Sequence, residues 1–441
     1  ASDGTIRITT ELDSAKAEAA MSKFSSLASK AMTGITVAVS TASAALSAMA
    51  GYSIKVGADF EAGMSKVSAI SGATGADLSE LTEKAKEMGA KTKFSATEAS
   101  EAFQYMAMAG WKTEDMLSGI DGIMNLAAAS GESLAKTSDI VTNALTEFGM
   151  AESDSSHFAD VLAKASSNSN TNVAMMGETF KYVAPVAGAL KFSVEDCAVA
   201  IGLMANSGIK ASQAGTSMRQ LFTNLVKPTD AMAQAMEDLG ISMTDAEGKT
   251  KSLDALMGDL RQSFSGLSEA QKAQYAATLA GQEGMSGLLA IVNASDADFN
   301  ALKTSIYNAD GAAEQMADTM NDNLKGSLTI AGSALEGFGI AIYEKIQTPL
   351  KKAVDAGTED INRLSKAFQS GGLNAVVAEA GEIFNDTADE IAGMSDEAAG
   401  VVRPIQEIVN VGGKLAKTTL PVAASTVKLL AKNFGTLAPL V

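Results

Sequence analysis

Hydrophobic and polar positions follow different rhythms along this chain. At the N-terminus Thr5, Ile6, Arg7, Ile8, Thr9 and Thr10 alternate polar and apolar, the two-residue period of a strand, and predict a short strand over 1–12. Asp13 or Ser14 can then cap a helix. Its apolar residues recur in alternate steps of four and three: Ala17, Met21, Phe24, Ala28, Ala31, Ile35, Ala38, Ala42, Ala45, Met49, Tyr52 and Val56, ending at Asp59. That spacing predicts a long Ala-rich helix over 13–60 and makes it a coiled-coil candidate. Alanine at a seam buries little surface, so an ordinary helix packed within one chain is the competing reading. Run as one helix, 14–56 would reach ~65 Å.

A slower rhythm occupies 94–225. Helix ends are expected at Ala129-Ser130, Ala165-Ser166 and Asn206-Ser207, about 36 and 41 residues apart, each followed by a short polar turn and another amphipathic helix. The preceding helices open on Thr113-Glu114-Asp115, Ser153-Asp154-Ser155 and Ser193-Val194-Glu195-Asp196, which satisfy free N–H groups and oppose the helix dipole. The following ones carry apolar stripes such as Ile140, Ala144, Leu145 and Phe148, or Met218, Leu221, Phe222 and Leu225. The expectation is a compact all-helical core over 61–325 built from helix pairs. Asp245-Ala-Glu-Gly-Lys-Thr250 reads as a turn or small hairpin; no earlier Gly or preceding strand makes it a phosphate loop. An apolar Gly-rich helix is expected over 326–348, with Glu336 as the lone charge in 326–343, and helices with Pro and Gly breaks over 349–441. The fold class is therefore mainly α: a long N-terminal helix or coiled coil, a compact domain of stacked helix pairs, and further C-terminal helices.

Composition narrows the chemistry. The net charge of −18 argues against a basic, phosphate-tracking surface and against sequence-specific nucleic-acid binding. One cysteine, Cys197, rules out an intramolecular disulfide, and one histidine, His157, removes most routes to a metal site or a histidine-based triad. Cys197 sits in an apolar run and reads as a small core residue, His157 as a surface or capping residue. Paired acids such as Glu80/Glu83 and Glu114/Asp115 are what 52 acids place on solvated helix faces. No catalytic, cofactor-binding or metal-ligating residue is nominated, and no cofactor. The uncharged run 31–54 is long enough to cross a ~30 Å hydrocarbon layer, but its Ser, Thr and Gly content argues against constitutive insertion. No secretory signal precedes the first strand.

Five stretches, in order, resemble the core region of phage tail tape-measure proteins: GADFEAGMSKVS at 57–68, FSATEASEAF at 94–103, MAMAGW at 106–111, MANSGIKASQAGTS at 204–217 and GSLTIAGSAL at 326–335. The resemblance implies a structural protein that sets tail length during assembly, fills the tail tube and assists genome delivery across the host envelope. It also implies partners: tail tube protein, assembly chaperones, distal tail or baseplate proteins, and the host membrane during delivery. A homo-oligomer is expected, with a trimer suiting a tube of threefold or sixfold symmetry. The implied location is the tail lumen, after assembly in the bacterial cytoplasm. A chain without an initiator Met that closes on Leu437-Ala-Pro-Leu-Val441 reads as a fragment or processed form. Two rival readings accompany this one: a stand-alone pore-forming or envelope-inserting toxin, suggested by the uncharged runs, and a peptidoglycan-degrading tail enzyme, for which no cassette is visible.

Overall fold

The computed structural model describes residues 38–392. The expected strand over 1–12, the seam up to residue 37 and everything after 392 lie outside the described residues. Within them the fold is mainly α. The helices are α1 (Ala38–Ser71), α2 (Ala76–Lys91), α3 (Ala96–Met108), α4 (Thr113–Ser130), α5 (Leu134–Phe148), α6 (Ser155–Asn168), α7 (Val173–Ala189), α8 (Val194–Asn206), α9 (Ala211–Val226), α10 (Asp230–Leu239), α11 (Leu253–Ser265), α12 (Glu269–Val292), α13 (Asp296–Tyr307), α14 (Ala312–Asn321) and α15 (Leu324–Ala392). They fall into two compact units that part after Lys345.

Local sequence sets most of the helix boundaries. Ser95, Ser133, Asn172, Ser193, Ser252 and Ser268 each accept the backbone N–H three residues on, which satisfies one of the free donors of a helix start. Ser95 and Glu98 complete a reciprocal capping box. Gly131 and Gly149 end α4 and α5 in the left-handed conformation that a Cβ would oppose.

The helices from α2 to α9 stack as pairs in two rows. α2, α4, α6 and α8 pack in succession along one row; α1, α3, α5, α7, α9 and α12 do so along the other. Glycines at the crossings permit the short interaxial distances. A Cβ on Gly122 of α4 would fall 2.4 Å from the Ser156 backbone nitrogen of α6, and one on Gly215 of α9 would fall 2.8 Å from the Thr179 carbonyl oxygen of α7. Between the rows lie the large side chains. Phe180 sits with its ring centroid 5.7 Å from both Phe148 and Phe158, and Phe192 meets Phe222 edge-on at 5.1 Å.

A third layer covers the first row: α14 lies on α4 and α6, and α13 on α6 and α8. The α8 helix is consequently enclosed on all sides, with every residue from Cys197 to Ala205 buried. A helix that is apolar all round belongs inside.

The α15 run changes direction in its second part. Arg363 Nε donates to Glu379 Oε1 at 2.7 Å; in a straight helix those residues would stand about 24 Å apart. The run therefore folds back between them, in the stretch that contains Gly371 and Gly372.

Candidate functional site

The sequence nominated no chemical site, and the residues it singled out occupy structural positions. Cys197 is fully buried in α8, where burial followed by the charges of Asp196 and Glu195 pushes its thiol well above the ordinary range. An inert core thiol results. His157 on α6 is exposed, with Nε2 2.7 Å from Glu195 Oε1 on α8. Glu83 pairs with Lys86 at 3.0 Å on the surface of α2. Asp115 accepts the Lys112 backbone N–H at 2.9 Å, a cap at the start of α4. Asp245 Oδ1 accepts from the Glu247 and Lys249 backbones, and Thr244 bridges Thr250 in the antiparallel sense, so the 245–250 segment is a small hairpin turn. No group of acids, histidines or cysteines among the described residues is arranged to hold a metal ion.

Two features that sequence reasoning missed join distant elements. Asp196, 2% exposed, donates its backbone N–H to Ser193 Oγ; its carboxylate accepts the Asp254 N–H at 3.0 Å at the start of α11 and the Tyr307 hydroxyl at the end of α13. Lys303 closes the cluster by pairing with Asp254 at 2.6 Å. Asp160 of α6 accepts two backbone N–H groups, Gly311 and Ala313, both at 2.8 Å, and so caps α14 from 151 and 153 residues away. In a sequence, each looks like one more helix-start or surface acid.

The surface feature with the plainest capacity for contact is the first part of α15, 324–345. Its buried positions are Gly326, Ser333, Gly339 and Ile340. Gly339 lies under Val56 and Tyr52 of α1, and the Tyr343 ring stands where a Cβ on Gly57 would be. The Tyr343 hydroxyl donates to Glu61 at 2.6 Å; this hydrogen bond, then burial, then the Glu61 charge push the phenol up to about 12. Ser333 Oγ donates to the Lys93 carbonyl at 2.9 Å, and Glu336 accepts the Thr97 N–H at 3.2 Å. Glu344 pairs with Lys86. Burial opposes the charge of Lys86, but hydrogen bonds to Glu344 and Glu83 outweigh it and hold the amine above the usual lysine range.

On its outer side the same stretch presents large apolar groups to solvent: Leu324 (76% exposed), Leu328 (64%), Leu335 (48%) and Phe338 (48%). Beside it a groove of about 310 Å³ opens between α15, α14, α4 and the α2–α3 connection, lined among others by Lys91, Lys93, Phe94, Asp318 and Ile330. Burial lowers the Lys93 amine from its usual range, and its Nζ is taken by the Ala128 carbonyl at 3.3 Å and the Phe94 ring at 4.9 Å. Lys91 pairs with Glu87 at 2.7 Å, so both amines of the groove are already engaged. No helix of the described residues is long and apolar enough to cross a membrane.

Comparison with known proteins gives this arrangement a context. The family model described as phage-related minor tail protein matches residues 82–281, from α2 to the bend in α12 where Gly281 leaves helical geometry. The chain is 38% identical over 330 residues to a protein named tape measure protein from Pneumococcus phage Dp-1, covering 75% of this chain and 29% of that one. It is 26% identical over 332 residues to a probable tape measure protein of Escherichia phage P2, covering 74% and 41%. A probable tape measure protein of Clostridium phage phiCD119 matches at 24% over 406 residues, covering 85% and 40%. The chain spans less than half the length of each of these relatives. No solved structure matches it.

Proposed function

The chain belongs to the phage tail tape-measure proteins, structural components of the tail, and from that premise we propose that it serves as their core region: it sets tail length, fills the tube lumen and assists genome passage across the host envelope. The observation that carries this reading is the 38% identity to a protein named for tape measuring, which extends over three quarters of the chain. The chain acts without catalysis, as a homo-oligomer of three copies, in contact with tail tube, assembly-chaperone and distal tail proteins.

Measuring is assigned to the helical stretches outside the stack. Drawn out as one helix, 61–325 would reach ~400 Å, whereas a folded body of that many residues has a radius of gyration of only about 18 Å. The domain plan that follows is a ruler with a body in it: strand 1–12, arm 13–60, compact core 61–325, apolar helix 326–348 and C-terminal helices 349–441.

In-frame deletions in the particle that encodes this chain test the reading by electron microscopy of tails. Deletions in the helical stretches are expected to shorten tails by about 1.5 Å per residue removed, and deletions inside the stack to abolish tails. Unchanged length across several tolerated deletions would overturn the ruler.

A further inference from the structure

We propose that α13 and α14 form a strap that detaches from the stack as one unit while the helix pairs stay folded, baring the groove between α6 and α8 in which α13 sits. The layer buries little. Of α13 only Phe299, Leu302 and Ile306 are buried, the i, i+3, i+7 spacing with which one face of an amphipathic helix lies in a groove. α14 buries Ala312, Ala313 and Ala317, and alanines remove far less apolar surface from water than leucines do. The remaining positions of both helices are exposed or half-buried. Segments with few buried apolar contacts open at lower cost than the core beneath them.

The fastenings form two roots and a buckle. At the first root Arg261 of α11 donates to the Ile291 and Ala294 carbonyls at 2.9 and 2.8 Å and pairs with Asp296 at 2.6 Å. At the second, the Asn323 side chain donates to the Met320 carbonyl and accepts the Gly326 N–H. Between the roots, 303–313 is held from outside by carboxylates on three different helices. Asp254 of α11 pairs with Lys303, Asp196 of α8 accepts the Tyr307 hydroxyl, and Asp160 of α6 accepts the Gly311 and Ala313 N–H groups. Asp160 grips the joint between α13 and α14, so its two charge-assisted hydrogen bonds hold both helices at once. Releasing that joint frees the middle of the layer while the roots keep its ends.

The face of α8 under the strap carries Asp196, Val199 and Gly202, which recur every three residues on one side of the helix. A Cβ on Gly202 would lie 2.7 Å from Leu302 of α13. Cys197 is two positions from Val199, about 160° round the helix, on the side turned towards the stack. One helix therefore offers a position under the strap and a position inside the core.

The test labels thiols in the full chain carrying Val199→Cys, at one pH, with fragmentation mass spectrometry reading the introduced thiol and Cys197 separately. Both positions are buried. The introduced thiol is expected to label at least tenfold faster than Cys197 and with a weaker urea dependence, because lifting a strap exposes less surface than unfolding a stack. Adding Asp160→Ala is expected to quicken the introduced thiol at least tenfold further and to leave Cys197 unchanged. Equal rates with equal urea dependence would mean that layer and stack unfold together, and would overturn the proposal. So would an introduced thiol that Asp160→Ala leaves unmoved, or a quickening shared equally by Cys197. Hydrogen exchange of the unsubstituted chain at one pH makes the comparison without a new thiol: amides of 296–321 are expected to show a weaker urea dependence than those of 199–203, and equal dependence overturns the strap.

Discussion

The run Cys197–Ala205 of α8 has no charge and the stretch 326–343 of α15 only Glu336, and both are apolar, yet they are used in opposite ways. The run Cys197 to Ala205 is buried without interruption, whereas in 324–345 the inner positions are Gly326, Ser333, Gly339 and Ile340 and the leucines and Phe338 face outward. Apolar content alone therefore does not decide burial. What decides it is how many sides neighbouring helices cover: α8 is covered all round, the 324–345 stretch on one side.

Substitutions in the two regions sharpen the contrast, beginning inside the stack. Phe180→Ala removes a ring packed between Phe148 and Phe158 and is expected to lower unfolding free energy by about 3–5 kcal/mol, read as an earlier urea transition. Asp196→Ala orphans the Asp254 N–H and the Tyr307 hydroxyl and should cost about 2–3 kcal/mol; a cost near zero would mean the cluster is ornamental. On α15 the expected losses are smaller and local. Gly339→Ala places a Cβ 2.7 Å from Val56 Cγ2 and should loosen the 324–345 stretch by about 1–2 kcal/mol, seen as faster proteolysis there with an unchanged urea midpoint for the stack.

The pH dependence of that anchorage has a definite sign. The Tyr343 phenol ionises near 10 when free and near 12 when held by Glu61, so the folded state binds the proton more tightly. Its contribution is complete below pH 10 and fades as pH climbs from 10 to 12. Proteolysis within 324–345, scaled to that of an unstructured peptide at the same pH, should quicken over that window in the native chain and not in Tyr343→Phe. The smallest effect belongs to the outer face: Leu335→Ala, at an exposed position, should change monomer stability by no more than about 0.5 kcal/mol. A larger loss would mean the leucine is covered within its own chain.

These contrasts also separate what was legible in the sequence from what was not. Ser95, Ser133 and Ser193 act within four residues of themselves, so their capping could be read directly. The helix ends at Ser130 and Asn206 were visible in the recurring Ala129-Ser130 and Asn206-Ser207 pairs, each followed by a short polar turn. An unbroken apolar run around Cys197 announced a core helix. The layer formed by α13 and α14 was not legible, because Asp160 and Asp196 act on backbones far along the chain and nothing local distinguishes them from surface acids. The outer face of α15 leaves a signal in the spacing of Leu324, Leu328, Leu335 and Phe338, but Gly326, Gly332, Gly337 and Gly339 interrupt the stripe and make its exposure illegible. The relation to phage tail proteins came from ordered phrases, not from composition.

The crossing of α1 and α15 carries a mechanical consequence. Lys55 feels Glu336, Val56 packs on Gly339, and Glu61 meets Tyr343; partners advance together, so the two helices run the same way. A pull along that shared direction, applied to the start of α1 and to residue 345 of α15, would load the contact in shear at Gly57 and Gly339 before it loaded the helix pairs that lie between them in the chain.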